Sequence, residues 1–345
     1  MLAECDDALR RERAPRFRPR GLGAEGEIGP CAHGLARDFS RDIVVIHRSP
    51  TLAMMRVVSL VPAATEIVYA IGAIDELVAV THDDDYPPTV RVLPSVTRST
   101  IPHGASARDI DRQVREAGSR GESTFHLDEQ ALRDARPDVI LGQTLCAVCA
   151  VTLDQIPAHL PRVPQVVALD ASSLAGMFED VRRIGAALGR DADAERLIHD
   201  LTVRLAAVEA QVAGLSRPRV ACLEWLDPLF NAGHWVPEQV RIGGGEDVLG
   251  TAGARSREIG WDDVLAAQPE IVIAMPCGWG AERAATEAAR LHGSVGDARV
   301  LGVDGAAFFS RPGPRLVDGV ELLASIFHPD AVSAPDGAIA VPVGI

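Results

Sequence analysis

From residue 55 onward, short apolar runs alternate with stretches of helical period, and that alternation limits the fold more than any other feature of the chain. Residues 57–61 read as a strand, 65–71 as a helix closed by Gly72, and 77–81 as a second strand. Residues 137–141 and 166–169 supply two more, and the pattern restarts at 219–223 and 270–274. Apolar strands of four or five residues separated by amphipathic helices predict α/β units around mostly parallel sheets.

The two halves echo each other. Leu132 leads through Pro137 and Asp138 to Gln143 and Cys146, and Leu265 leads through Pro269 and Glu270 to Cys277. Between the halves, Leu174, Met177, Val181, Ile184 and Leu188 share one helical stripe, with Ser172 or Ser173 as N-cap. After Gly189-Arg190-Asp191 the stripe continues through Ala194, Leu197, Leu201, Leu205, Val208 and Val212, as one bent helix or two. The expected organisation is an α/β lobe over 55–170, a helical bridge over 171–215, a second α/β lobe over 218–330 and a tail over 331–345. Such a clamp places a ligand in the crevice between the carboxyl ends of the strands.

Residues 1–53 differ from the rest. Nine Arg stand against eight acids, a net of +1, which leaves −15 of the total −14 to residues 54–345. The stretch 10–20 is basic and broken by Pro, and the strand-like 43–46 is too short for the apolar centre of a secretory signal. The expectation is a disordered leader or a misassigned start, and a cytoplasmic protein.

Charge and length exclude several classes. With 48 acids against 34 bases, an excess of 14, the chain is a poor partner for a nucleic-acid backbone. No apolar run approaches the roughly 18–20 residues that span a bilayer. Six Cys in 345 residues are too sparse for a disulfide scaffold.

The loops after the strands hold the candidate site. They carry Pro62 and Ala63; then His82, Asp83, Asp84, Asp85 and Tyr86; then Cys146 and Cys149. In the second half come Glu224, Trp225 and Asp227, then His234 and Trp235, Cys277, Gly278 and Trp279, and lastly Phe308, Phe309 and Arg311. Three of four Trp fall in these loops although aromatics are 4% of the chain, so the crevice suits a large, flat, amphipathic ligand. Several elements keep two readings. Cys146-x-x-Cys149 is a redox pair, half a zinc site or packing. The acids at 83–85 hold a hard cation or form a solvated loop. Gly243-Gly244-Gly245 cradles phosphate or stops a helix. His234 is a metal ligand or a wall residue, and Arg311 and Arg315 contact an anion or pair with a neighbouring acid. No G-x-S-x-G elbow is present.

The stretch from Val58 through Pro62 and Thr65 to Glu66, then Ile71-Gly72 and 77–81, resembles the opening of ABC-importer substrate-binding proteins of the iron-siderophore/cobalamin class. Residues 136–141, the helical bridge and the closing 319–329 helix extend the likeness over roughly 55–330. The motifs 146–149, 224–228, 233–237, 276–278 and 311–315 are similar to a cobalamin-binding branch. The resemblance implies two Rossmann-like lobes on a rigid helical backbone, a class III periplasmic-binding-protein-like fold with little hinge closure. It sets Pro62, Tyr86, Trp225, Trp235 and Phe308 or Phe309 against a corrin or siderophore. The function it implies is non-catalytic binding of a corrinoid such as cobalamin by a monomer, with no intrinsic cofactor or metal and an ABC-importer permease as partner. The alternatives are a ferric siderophore or haem binder, and a metal-dependent or redox enzyme using the loop cysteines.

Overall fold

The structure, a computed structural model, describes residues 54–143, 151, 153–157, 159–290 and 295–343. The leader 1–53 and both Cys146 and Cys149 lie outside the described residues.

The first lobe opens with β1 (Val57–Ser59), fully buried, and α1 (Pro62–Ala70). Pro62 sits in the first turn of α1, where its missing N–H costs nothing, and Gly72 at φ 74° takes the left-handed turn that ends it. Then come β2 (Leu77–Ala79), β3 (Thr97–Ser99), α2 (Ala107–Ser119), β4 (Phe125–Leu127), α3 (Glu129–Ala135), β5 (Val139–Gln143) and β6 (Gln165–Leu169). The strands β2-β1-β5-β6 form a parallel sheet in that order, with Val57 beside Val139 and Gln143 beside Leu169. The hairpin β3-β4 stands apart from it. Neither that hairpin nor α2 was read as an element from the sequence; α2 carries only a thin apolar stripe of Ala107, Ile110, Val114 and Ala117 among charged residues.

Two helices make the bridge, α4 (Leu174–Ala187) and α5 (Asp191–Val212). Ser173 caps α4, its Oγ accepting from the Gly176 N–H at 3.0 Å. Gly189 at φ 64° breaks the chain between the two, so the bridge is two helices rather than one. The expected stripe of Leu174, Met177, Val181, Ile184 and Leu188 is buried throughout.

The second lobe contains β7 (Arg219–Leu226), β8 (Leu229–Asn231), α6 (Val236–Ile242), β9 (Glu246–Asp247), α7 (Trp261–Ala267), β10 (Ile271–Ala274), α8 (Ala281–Ala289), β11 (Arg299–Val303), α9 (Gly305–Phe308), α10 (Leu316–Phe327) and β12 (Ala340–Pro342). Its sheet runs β12-β11-β10-β7-β8, with β9 also on β7. β7, β10 and β11 are parallel, and β8 and β12 are antiparallel additions. β12 comes from the stretch expected as a tail. Residues 243–245 follow α6 as its C-terminal stop, with Gly244 at φ 86°.

One hydrophobic core runs through both lobes and the bridge. It joins Ile67 and Leu141 of the first lobe to Met177, Ile184 and Leu201 of the bridge, and on to Cys222, Ile273 and Leu323 of the second. Each such Leu or Ile contributes about 1.5–3 kcal/mol on burial. A core continuous across the bridge resists hinge motion there, because bending would open it.

Candidate functional site

Loops at the carboxyl ends of the two parallel sheets carry the candidate side chains, which form two groups. The first is ionic and, apart from the half-exposed Asp85, largely buried. Glu66, in the middle of α1 and 2% exposed, accepts from Arg315 at both oxygens, Nη2 to Oε1 at 2.5 Å and Nε to Oε2 at 3.0 Å. Arg311 adds a longer contact to Glu66 at 3.4 Å, donates to Asp85 at 2.5 Å and to the Asp83 carbonyl oxygen at 2.9 Å. Arg315 also lies over the ring of Tyr86, 4.3 Å from its centroid, and Tyr86 meets Tyr69 edge-on at 5.8 Å. Burial pushes the Glu66 carboxyl above its ordinary range, and the hydrogen bonds and charges of Arg315 and Arg311 oppose that shift.

The two readings of Arg311 and Arg315 therefore resolve to ion pairing within the chain. The acid run resolves too, since its members part company. Asp84 is buried and caps the turn at Thr81, accepting from its N–H at 2.7 Å and its hydroxyl at 2.6 Å, while Asp85 faces Arg311. Among the described residues no group of three or more His, Cys, Asp or Glu is placed to hold a metal ion.

The second group is aromatic. Trp225, half-buried at the end of β7, packs against Trp279 with ring centroids 5.3 Å apart at 52°. Its indole N–H donates to the Asp227 carbonyl oxygen at 3.2 Å. Arg283, from α8, lies 3.8 Å over the other side chain of the pair, Trp279. Asp227 itself is held by Arg108 of α2. Cys277 is half-buried, its N–H donating to the Glu224 carbonyl oxygen at 3.2 Å, and Gly278 turns the chain at φ 75°. The Glu224 carboxylate accepts from the Gly233 N–H at 3.3 Å.

His234 is half-buried at φ 52°, a left-handed conformation unusual for a residue with a side chain. Its backbone is fixed to residues 253 and 254, donating to the Ala254 carbonyl oxygen at 2.6 Å and accepting from Gly253 at 2.8 Å. Burial, and then the charge of Arg255, hold its pKa below the ordinary histidine value. His82 instead faces the β3-β4 hairpin, its Nδ1 2.7 Å from the Thr97 hydroxyl and its ring 5.6 Å from Phe125.

Two expected wall residues belong to the core. Trp235 is 5% exposed and donates its indole N–H to the Phe309 carbonyl oxygen at 2.7 Å, and Phe309 is buried beside it. Alternation along a loop says nothing about which neighbour turns inward, and both aromatics turn in. Pro62 is half-buried and Ala63 buried under the 311–315 loop; a Cβ on Gly313 would stand 3.5 Å from the Ala63 carbonyl oxygen. Phe308 stays half-buried, 6.0 Å from Arg315. Glu66 stood only at the end of the first candidate loop, with no role assigned, and Arg283 and Arg108 were not among the candidates. Their partners lie 119 to 249 residues away for Arg108 and Glu66, and no local spacing points to them.

The family described as "Periplasmic binding protein" matches residues 57–292. The uncharacterized ABC transporter substrate-binding lipoprotein YvrC of Bacillus subtilis (strain 168) is 23% identical over 310 residues, 85% of each chain. Vitamin B12-binding proteins of Vibrio cholerae are 22% identical over 281 residues, 77% of this chain and 86% of theirs. Among solved structures, a periplasmic heme-binding protein from Pseudomonas aeruginosa superposes with a TM-score of 0.61 at 19% identity, covering 84% of this chain and 98% of its own. The periplasmic vitamin B12-binding protein BtuF of Vibrio cholerae gives 0.54 at 20% identity, covering 79% and 96%. Both bear out the two-lobed fold. The expected cytoplasmic location is overturned, because the matched proteins are periplasmic or lipoproteins and so act outside the cytoplasm. That expectation rested on finding no apolar signal centre in the first residues, an absence that weighs little beside a match across the body of the chain.

Proposed function

We propose that this chain, which belongs to the periplasmic binding protein family, holds a corrinoid of the cobalamin type between its lobes and hands it to its permease. Proteins of this family bind small-molecule solutes for ABC importers and are not catalysts. No described helix is long and apolar enough to cross a membrane.

The pairing of Trp225 with Trp279 at the carboxyl ends of β7 and β10 carries the reading. Trp279 is 4% exposed and tilted 52° to Trp225, so it backs the half-buried Trp225 indole, which offers its apolar face to a macrocycle with polar points at Glu224, Asp227 and Cys277 nearby. The ionic group bears on which macrocycle. Arg311 and Arg315 are committed to Glu66 and Asp85, so that end of the site has its guanidinium charge already matched. Haem brings carboxylates that want unmatched cations, whereas the corrinoid periphery is largely amide and is satisfied by neutral donors and acceptors. The relatives named for vitamin B12 support the same choice, and those named for heme support the alternative.

Titration with cyanocobalamin, cobinamide, hemin and a ferric siderophore, read by tryptophan fluorescence, tests this. Saturable quenching by the corrinoids with weaker or no response to the others is expected. Tighter binding of hemin than of either corrinoid would give the site to haem.

A further inference from the structure

The contacts between the lobes form two seams of opposite character. The inner seam sets Glu66, 2% exposed, and the half-exposed Asp85 against the largely buried Arg311 and Arg315. The outer one is made by α2. Arg108 donates to both carboxylate oxygens of Asp227 at 2.9 and 3.0 Å, with side chains 78% and 43% exposed. Arg115 donates to Glu258 at 2.8 Å and lies 6.0 Å from the Phe230 ring centroid. Arg283 reaches back from the second lobe to the Ala105 carbonyl oxygen at 2.6 Å, while its guanidinium covers Trp279.

Its own lobe holds α2 weakly. Of its 13 residues only Ala107 and Ala117 are buried. It is nonetheless a self-sufficient helix. Ser106 caps it, accepting from the Asp109 N–H at 3.1 Å, and Arg112 and Arg115 pair along it with Asp109, Glu116 and Asp111. Gly104 at φ 81° and Gly121 at φ 70° flank it, both in left-handed backbone with open space where a side chain would be. Glycine turns at both ends, few buried contacts and internal pairing describe an element that moves as a unit.

We propose that α2 is the gate of the site. It swings about Gly104 and Gly121 to admit ligand to the Trp225–Trp279 pair, and Arg108, Arg115 and Arg283 latch it. The proposal rests on the reading that ligand lies against that pair. The seams differ in the direction the gate requires. Exposed ion pairs are weak and screened by salt, whereas separating the buried pairs strands charge in a low-dielectric interior. Opening at α2 also withdraws Ala105 from Arg283, which frees the guanidinium to leave the face of Trp279. One movement thus opens the path and uncovers the wall.

The test uses the full chain and its Arg108→Gln/Arg115→Gln variant, at roughly 0.05 and 0.5 M NaCl. Hydrogen exchange over 107–119 and 276–283 reports the gate without ligand, and stopped-flow mixing with cyanocobalamin reports entry. Faster exchange in both segments is expected in the variant and, for the wild type, at high salt. Association and dissociation should both quicken, by roughly two- to fivefold, the scale of losing weak exposed pairs. Unchanged exchange over 107–119 overturns the proposal. Faster exchange with cyanocobalamin entering at the wild-type rate overturns it also, since α2 would then move off the path. If cyanocobalamin binds neither protein, the corrinoid reading fails on its own. The gate then stands only if exchange over 276–283 rises together with that over 107–119.

Discussion

Glu66 and Arg315, 249 residues apart, meet in a two-point ion pair that ties the first helix of one lobe to the start of α10 in the other. Removing one partner of a buried pair leaves the other charged and unmatched, which costs more than the pair itself contributes. Here the Arg315 guanidinium would be stranded, while Arg311 keeps Asp85. Glu66→Ala should therefore lower the unfolding free energy by about 3–5 kcal/mol in a denaturant titration. Glu66→Gln, which keeps the shape and one acceptor, should cost less. A Glu66→Ala protein within about 1 kcal/mol of wild type would show that the seam does not hold the lobes.

Trp225 and Trp235 look alike in sequence and should behave differently. Trp235→Ala removes a buried indole and orphans the Phe309 carbonyl oxygen, so it should destabilise the fold by about 3–5 kcal/mol. Trp225→Ala should leave the melting temperature nearly unchanged and weaken cyanocobalamin binding by about 1–3 kcal/mol. Thermal melts and fluorescence titrations of the two variants separate the roles. Equal losses of stability would place Trp225 in the core as well.

The contrast shows how far the sequence could be read. Period and punctuation are local, so β1, α1 and the stripe from Leu174 to Leu188 were legible, and with them the α/β clamp, while the division of the bridge at Gly189 was left open. What was hidden is pairing at a distance. Nothing near Arg311 says that Glu66 awaits it, and nothing near Arg108 says that Asp227 does. The helix α2 was missed for another reason: its apolar stripe, Ala107, Ile110, Val114 and Ala117, is thin and set among charged residues. The candidate residues could be read only as a loop set, and whether Trp235 faces in or out is decided by Phe309, 74 residues away.

Asp180 provides a pH signature of the bridge. Its carboxylate is buried on α4, accepts from the Ala171 N–H at 3.1 Å and faces Arg183 at 3.0 Å. Burial raises its pKa from 3.8 to about 6. A folded-state pKa above the unfolded one means the native protein holds a proton that the unfolded chain releases. This residue's contribution thus falls as pH rises from about 4 to about 6, by about 3 kcal/mol, and is flat above. Unfolding free energies of wild type and Asp180→Asn measured across that window should diverge by this slope. Parallel curves would mean that Asp180 titrates as an ordinary surface acid.

His234 behaves in the opposite sense, and its loop explains why. Gly233 packs so tightly that a Cβ there would lie 2.5 Å from the Ser256 amide nitrogen, and the next residue is forced to φ 52° with its ring half-buried near Arg255. Both surroundings disfavour the imidazolium. The native state then binds fewer protons than the unfolded chain just below pH 6.5, so stability from this residue is lost as pH falls through that range. Nitrogen-15 NMR should place the His234 midpoint below that of an exposed histidine, and Arg255→Ala should raise it. A ring kept neutral at the carboxyl-end face is also competent to meet a metal carried by the ligand. If it does, the visible spectrum of aquacobalamin should shift on binding, and His234→Ala should abolish the shift while the Trp225–Trp279 pair retains part of the affinity. The same shift in His234→Ala would leave the imidazole as a wall residue whose low pKa reflects burial alone.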